Sequence, residues 1–286
     1  MISINTNYGG LFASKAASQS QRMLDTAMER LSTGKRINYA TDDAAGQAIA
    51  VRLEAEIQGI SMATRNVADA QSLMDTADGA LAETSNILLR MRELAVQAST
   101  GTLNSDDNAA LDAEFQQLEA EIDRIASSSK WAGSDLFTGT ARVFHIGTKA
   151  TDTLSHTIAK MAAHDLGVDS LGANNASGGT GDDTDIDADL TDATKAAAMI
   201  TAVDNAIKLV STERGSLGAL SNRLSSTISN LDQVRVNLSA SQGRIEDADF
   251  AEETSNLAKG QILQQAATAM LAQANASKQT VLALVR

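Results

Sequence analysis

Three histidines are the side chains in this sequence best suited to binding a metal ion or moving a proton near neutral pH. They are His145, His156 and His164, separated by eleven and by eight residues. A zinc protease needs two histidines four residues apart on one helix face, with a glutamate base between them. This spacing supplies no such pair, so the sequence predicts surface or structural histidines and no metal site.

A run of aspartates is the next candidate, because alternating carboxylates are typical of a calcium-binding loop. Its members are Asp182, Asp183, Asp185, Asp187 and Asp189. Such a loop requires glycine at its sixth position and a bidentate glutamate at its twelfth. Counted from Asp185, those positions are Leu190 and Ala196. The pattern favours a solvated loop over a weak cation site.

The sequence also does not support phosphate binding or nucleophilic catalysis. Gly178, Gly179 and Gly181 lack the strand and the following lysine that accompany a phosphate-binding loop. The serines lie on helix faces or in loops without the surroundings of a nucleophile, and there is no cysteine. The sequence therefore predicts a protein that is not an enzyme and has no cofactor.

Charge and hydropathy exclude two further classes of protein. A net charge of -13 argues against a nucleic-acid partner, which requires a basic patch. The apolar run Val281–Val285 is far shorter than a membrane span of ~18 residues, which predicts no membrane partner. The first residues, MISINTNYGGLF, have neither a basic region nor an apolar stretch, so they do not predict a cleaved signal peptide, and any export would use another route.

The elements that could position any site are long helices, because the chain contains no proline to interrupt them. Near both ends, small and apolar residues step by four and three, as in a helix that packs against a partner helix. This predicted polymerisation seam comprises Ala13, Ala17, Leu24, Ala27, Leu31, Leu263, Ala267, Met270, Ala274, Val281 and Leu284. Gly34 is predicted to end the first helix.

A second helix, from about residue 42 to about residue 100, carries an apolar residue at every seventh position. Thr41 is its predicted N-cap, with acids following it at the positive helix end. Ser105 is the predicted N-cap of a third helix, and a long fourth helix follows Thr191. The predicted core of these helices comprises Ile60, Val67, Met74, Leu81, Leu88, Ile207, Leu217, Leu224 and Leu231. Polar residues interrupt the fourth helix's stripe at Arg214, Ser221 and Arg235, where they could fix the register.

The middle of the chain differs from both ends. Val143, Phe144 and Ile146 predict a short strand, and GANNASGGTGDDTD predicts an exposed loop. We therefore expect a mainly α fold, in which both chain ends form a long antiparallel coiled-coil rod and the middle adds a small β-hairpin and loop. The terminal stripes are rich in alanine and bury little area, so neighbouring subunits would have to complete them.

Three segments carry a family resemblance. LSTGKRINYATDDAAGQAIA at residues 31–50, RMRELAVQAS at residues 90–99 and RIEDADFAEETSNLAKGQILQQAATAMLAQANASKQTVLALVR from Arg244 resemble the bacterial flagellins. The resemblance covers roughly residues 1 to 130 and 190 to 286. It implies a structural subunit that self-polymerises into the flagellar filament and transmits torque. The alternative is a hook-filament junction or another axial component.

The resemblance also implies a division into three regions. Residues 1–40 and 246–286 would form an inner terminal-helix domain, residues 41–130 and 191–245 a long-helix bundle, and residues 131–190 a short variable region on the outer side. It further implies an extracellular protein that is exported unfolded.

Partners follow from the same resemblance. They are the protein itself, an export chaperone, the filament cap and the hook-filament junction proteins. Arg90, Leu94 and Glu114 look like the surface that the flagellin-sensing Toll-like receptor of animals recognises, and that surface would also pack between protofilaments. The alternative is that these residues have no binding role and only lie along a long, solvated helix.

Overall fold

The computed structural model describes residues 6–169, residue 190 and residues 193–284, with the backbone alone for residue 193 and residues 278–284. The acidic run at residues 182–189, the glycines at residues 178–181 and Thr191 lie outside the described residues. The side chains of Val281 and Leu284 do so as well.

The described part of the chain is mainly helical, with two small pairs of strands. In chain order the elements are α1 (Tyr8–Thr33), α2 (Ala44–Ala98), α3 (Ser105–Ser128), β1 (Lys130–Trp131), β2 (Ser134–Asp135), β3 (Ala141–His145), β4 (Thr153–Thr157), α4 (Ala163–Leu166), α5 (Ala193–Glu246) and α6 (Phe250–Leu284). The prediction of a mainly α fold with a small β-hairpin is confirmed.

The chain forms two compact units. The first unit comprises Met1–Gln58 and Arg235–Arg286, and the second comprises Gly59–Val234. The division into three regions expected from the sequence stays a prediction.

Helix ends follow local side-chain chemistry, with two corrections to the sequence predictions. Gly34 adopts φ 72° and its N–H donates to the carbonyl of Arg30, which ends α1 as predicted. The cap of α2 is Asp43 and not Thr41, because the Asp43 carboxylate accepts the N–H of Gly46 at 2.9 Å. The cap of α3 is not Ser105.

The true cap of α3 is its neighbour Asn104, which forms a reciprocal capping box with Asp107. The Asn104 side chain accepts the N–H of Asp107 at 2.7 Å, and the Asp107 carboxylate accepts the N–H of Asn104 at 3.3 Å. Adjacent polar residues are all plausible caps in sequence. The backbone conformation of the preceding loop decides which of them reaches the free N–H groups.

In the second unit α2 and α5 run antiparallel, as three polar contacts show. Gln71 bonds to Ser221, the Arg214 Nε lies 2.8 Å from Asp78 Oδ1, and Arg92 pairs with Asp204. Residue numbers rise on one helix as they fall on the other. The polar interruptions at Arg214 and Ser221 therefore meet polar partners across the helix pair.

Large apolar residues fill the core of the second unit. Ile60, Val67, Met74, Leu81, Leu88, Leu217 and Leu224 are all at most 3% exposed, and Ile207 and Leu231 are half-buried. Phe115 and Ile122 of α3 join the same core. Burial of these bulky side chains favours folding of this unit.

The strand pairs are short antiparallel hairpins. In β3 and β4, Phe144 lies opposite Leu154, and Leu154 is buried. Val143 and Phe144 lie in β3 as predicted, whereas Ile146 comes one residue after the strand. The turn between β1 and β2 uses positive φ at Ala132 and at Gly133, the conformation that tight two-residue hairpins require.

We predict that Leu81→Ala destabilises the second unit by about 2–5 kcal/mol, because it leaves a cavity in a fully buried position. Leu89→Ala on the same helix is the matched control. Leu89 is 49% exposed, so its truncation is expected to cost less than about 1 kcal/mol. Chemical denaturation of the soluble chain measures both values, and equal losses would contradict the core assignment.

Candidate assembly surface

The terminal helices α1 and α6 of the first unit form an antiparallel pair. Three polar contacts along its length define the alignment: Arg30 with Glu253 at 2.8 Å, Gln21 with Gln264 at 3.2 Å, and Asn7 with Asn275 at 3.4 Å. The start of α1 therefore lies beside the C-terminal part of α6, at the level of Asn275.

Small and polar residues form the buried face between these helices. On α1 it comprises Gly10, Ala13, Ser20 and Ala27, and on α6 it includes Glu253, Gly260 and Ala267. A Cβ at Gly260 would lie 3.0 Å from the Cγ of Leu24, closer than ordinary van der Waals contact. Glycine thus lets the two backbones approach closely, which small residues alone permit.

Bulky apolar side chains of the same two helices point outward. Those that are at least 40% exposed are Tyr8, Leu11, Phe12, Met28, Phe250, Ile262, Leu263 and Met270. Globular proteins usually bury their large apolar residues and leave small ones anywhere. The reversed arrangement marks α1 and α6 as an interaction surface, since exposed apolar patches of this kind usually bind a partner.

The residues of the predicted seam divide between two faces. Ala13, Ala27 and Ala267 are buried between α1 and α6, and Ala17, Leu24, Leu31 and Ala274 are half-buried. Leu263 and Met270 are 40% and 57% exposed and are available to another molecule. A stripe in the sequence cannot distinguish these faces, because both follow the same helical period. The role of these residues in polymerisation stays a prediction.

A loop at the base of α1 is tied to the junction between α5 and α6. Lys35 Nζ lies 2.8 Å from Glu246 Oε1, and the N–H of Arg36 donates to the carbonyl of Glu246 at 2.6 Å. The N–H of Ala248 donates to the carbonyl of Gly34 at 2.9 Å. Sequence reasoning missed these contacts, because nothing local indicates which of many charged residues will meet across 211 positions.

Arg90, Leu94 and Glu114 are brought together in the second unit, but at different depths. The Arg90 guanidinium contacts Glu114 Oε1 at 2.8 Å and Glu93 Oε2 at 2.9 Å, and these hydrogen bonds, chiefly that of Glu114, raise the pKa of Arg90. Leu94 is only 1% exposed. It supports this surface from below, while Leu89 on the same helix is exposed.

Two of the three histidines, His156 and His164, each lie near one carboxylate. His156 Nε2 lies 3.9 Å from Glu213 Oε1, and His164 Nδ1 lies 3.6 Å from Asp169 Oδ2. The described residues contain no group of three metal-binding side chains. Among the helices in the described part of the chain, none combines the length and the apolar character that crossing a membrane requires.

Comparisons with known proteins converge on one family. The bacterial flagellin N-terminal helical region matches residues 4–142, and the bacterial flagellin C-terminal helical region matches residues 200–285. The chain is 42% identical to a flagellin of Halalkalibacterium halodurans over 91% of each chain, and 40% identical to a flagellin of Bacillus subtilis over 99% of each. It is 37% identical to the flagellar filament 33 kDa core protein of Treponema phagedenis over 99% of each chain.

Solved structures add a likeness in fold. A putative flagellar hook-associated protein from Vibrio parahaemolyticus has a TM-score of 0.58 at 16% identity, covering 72% of this chain and 100% of that one. Bacillus cereus flagellin is 34% identical, with a TM-score of 0.48, covering 58% of this chain and 88% of that one.

We predict that the first unit weakens at alkaline pH because of Lys35. Its hydrogen bond to Glu246 raises the pKa of Lys35 above 10.5. A raised pKa means that the pairing stabilises the fold below 10.5 and is lost as the pH rises through the folded-state value. Because Lys35 is 48% exposed, the loss is less than about 1 kcal/mol.

Thermal melting followed by helical circular dichroism between about pH 9 and about pH 12 measures this loss. Lys35→Met should remove part of the alkaline decline. Tyr39→Phe is the separate control, because the hydrogen bond to Glu29 raises the pKa of Tyr39 in the same direction. An unchanged alkaline decline in Lys35→Met would contradict the prediction.

Proposed function

The chain belongs to the bacterial flagellin family, and we propose that it polymerises into the flagellar filament through the apolar side chains that α1 and α6 leave exposed. Relatives named flagellin and flagellar filament core protein support a role as a filament subunit. The observation that carries the proposal is the reversed burial of the terminal helices, which enclose small residues and expose large ones.

Polymerisation on this surface is favoured by the apolar area that it removes from water. Burial contributes about 25 cal/mol per Å², so several leucine, isoleucine, phenylalanine and methionine side chains on each subunit supply a substantial driving force. Within one chain, alanine and glycine contacts between α1 and α6 offset little of the entropy lost on ordering two long helices. Folding of the first unit is therefore coupled to assembly.

The filament's function is mechanical. A tube of repeated subunits transmits the torque of the flagellar motor, and small alternative packings between subunits allow a supercoil that produces thrust. In this arrangement residues 1–40 and 246–286 form the inner layer of the filament, residues 41–130 and 191–245 the surrounding helical bundle, and residues 131–190 the outer part. We propose no catalytic activity for the chain.

Several partners accompany this function. Export of the unfolded chain requires a flagellar export chaperone, and growth at the extracellular end requires the filament cap and the hook-filament junction proteins. Family membership supports these partners.

Electron microscopy of the purified chain tests the proposal directly, and long filaments formed by this chain alone are the expected result. Leu263→Asp and Met270→Asp each place a charge on the assembly surface, where burial without a partner costs on the order of 3–5 kcal/mol. Cells carrying either variant should be non-motile and secrete monomer. Val143→Asp on the exposed β3 strand is the control, with Val143 65% exposed and normal swimming expected.

Other results would contradict the proposal. Short or absent polymers from the unmodified chain would favour a hook-filament junction component. Retention of all activity after removal of the last twenty residues would favour a secreted adhesin or effector. Normal filaments in cells that carry Leu263→Asp would remove that residue from the assembly surface.

We also propose that the surface at Arg90 and Glu114 is recognised by the flagellin-sensing Toll-like receptor of animals. Both side chains are exposed and form a fixed charged pair over the buried Leu94. Arg90→Ala should lower receptor activation by soluble subunit about tenfold, the usual effect of losing an interface arginine. Arg124→Ala removes a comparable exposed pair with Glu121 on α3 and serves as the control. Equal activation by both variants would contradict this assignment.

A further inference from the structure

We propose that the Arg30–Glu253 ion pair sets the register between α1 and α6. The register fixes the positions along the helix axis at which the two helices present their exposed apolar side chains. The inference rests on the proposed function, because only assembly requires these positions to match a neighbouring subunit. Arg30 and Glu253 are then positioning residues for polymerisation. Neither of them belongs to the exposed apolar surface itself.

The apolar packing between α1 and α6 cannot set the register by itself. Buried small residues recur at every seventh position on both helices: Ala13, Ser20 and Ala27 on α1, and Gly260 and Ala267 on α6, followed by the half-buried Ala274. If one helix slides by seven residues, about 10 Å along its axis, small residues again face small residues. The packing is nearly the same in each register. Large side chains inserted between residues of the partner helix, as in knobs-into-holes packing, would instead allow only one register.

The closest apolar contact tolerates such a slip. Leu24 packs against Gly260, and a one-heptad shift places Ala267 there. A Cβ at Gly260 would lie 3.0 Å from Leu24 Cγ, so a movement of a few tenths of an ångström accommodates the alanine. At the far end Gly9 faces Ala274, and a one-heptad shift in the opposite direction brings Gly9 to Ala267, another alanine. That opposite shift also places Glu253, and not a small residue, opposite Leu24.

The ion pair distinguishes the registers. Glu253 has a side chain only 8% exposed, and its Oε1 lies 2.8 Å from Arg30 Nη1, while its Oε2 accepts a bond from Asn256 on the same helix. A one-heptad slip moves Glu253 from Arg30 to the level of Met23 in one direction and of Ile37 in the other. The first shift leaves the carboxylate between the helices without Arg30, which is strongly disfavoured. The second moves Glu253 beyond the end of α1 at Thr33, so that the contact between Arg30 and Glu253 is lost as well. Selecting one register is the best-attested structural role of a buried polar group.

The other side-chain contacts along the two helices do not select the register to the same degree. Gln21 with Gln264 and Asn7 with Asn275 are exposed pairs, whose side chains bond to water when separated. At the base of the pair, outside both helices, the backbone hydrogen bonds of Arg36 to Glu246 and of Ala248 to Gly34 hold the same alignment as the ion pair, and Lys35, which pairs with Glu246 there, is 48% exposed. Glu253 is the charged residue of this interface whose isolation costs most.

Disulfide trapping in the full-length chain tests the proposal, and the absence of native cysteine allows each pair to be introduced alone. Gly9→Cys with Ala274→Cys reports the observed register, because a Cβ at Gly9 lies 3.6 Å from the Cβ of Ala274, within disulfide range. Gly9→Cys with Ala267→Cys reports a slip in one direction, and Ala16→Cys with Ala274→Cys reports the other. Assembled protein is oxidised, and disulfides within single chains are quantified by peptide mass spectrometry.

The expected result is a predominant native cross-link in the parent chain. Glu253→Gln should lower its yield at least about tenfold in favour of a slipped pair, and should raise the concentration needed for filament formation. The exchange Arg30→Glu with Glu253→Arg should restore both quantities to within about twofold, since the attraction is reversed but retained. Lys35→Met is the control and should keep the native cross-link.

Two results would overturn the inference. One is that Glu253→Gln keeps the parent's native cross-link yield and assembles at the parent's concentration. The other is that the exchanged pair remains as defective as Glu253→Gln, which would assign the defect to shape and not to charge. A parent chain that cross-links in the native register but never forms filaments would instead contradict the proposed function and leave the register assignment intact.

Discussion

The close approach of α1 and α6 is the constraint on which the remaining features of the first unit depend. Small residues make up most of the fully buried face between the two helices, and at Gly260 the Leu24 side chain leaves little room for a Cβ. Many bulky residues on the same helices therefore point away from the pair. The helices consequently expose Phe12, Ile262 and Met270, which a solitary protein would bury. The interface that holds the pair together thus creates the surface that a neighbouring subunit can cover.

The second unit is also built from long helices, but it buries its large apolar residues. Its long helices bury large residues such as Met74, Leu88 and Phe115, so its core is sufficient without a neighbour. The two units therefore differ in which residues they leave to the solvent: the second encloses its large apolar side chains, and the first exposes several of them.

Charged pairs have different roles in the two units because their exposure differs. Arg214 and Asp78 of the second unit are 39% and 43% exposed, and such surface pairs contribute little to stability. Glu253 of the first unit is 8% exposed at an interface of small residues that repeat every seven positions. A charge there contributes less to affinity than to selecting one alignment among several of similar packing energy.

The sequence by itself determined the helices, the period of their apolar stripes and the family. These properties depend on local chemistry and spacing, as with Gly34, whose left-handed conformation ends α1. Even so, Asp43 and Asn104 cap helices where neighbouring residues looked equally suitable. Only the tertiary structure decided that Ala267 faces α1 while Leu263 and Met270 face outward, and that Leu94 lies beneath Arg90 and Glu114. It also paired Arg30 with Glu253, because a heptad repeat gives the period of a stripe but leaves its partner and register to packing across distant segments.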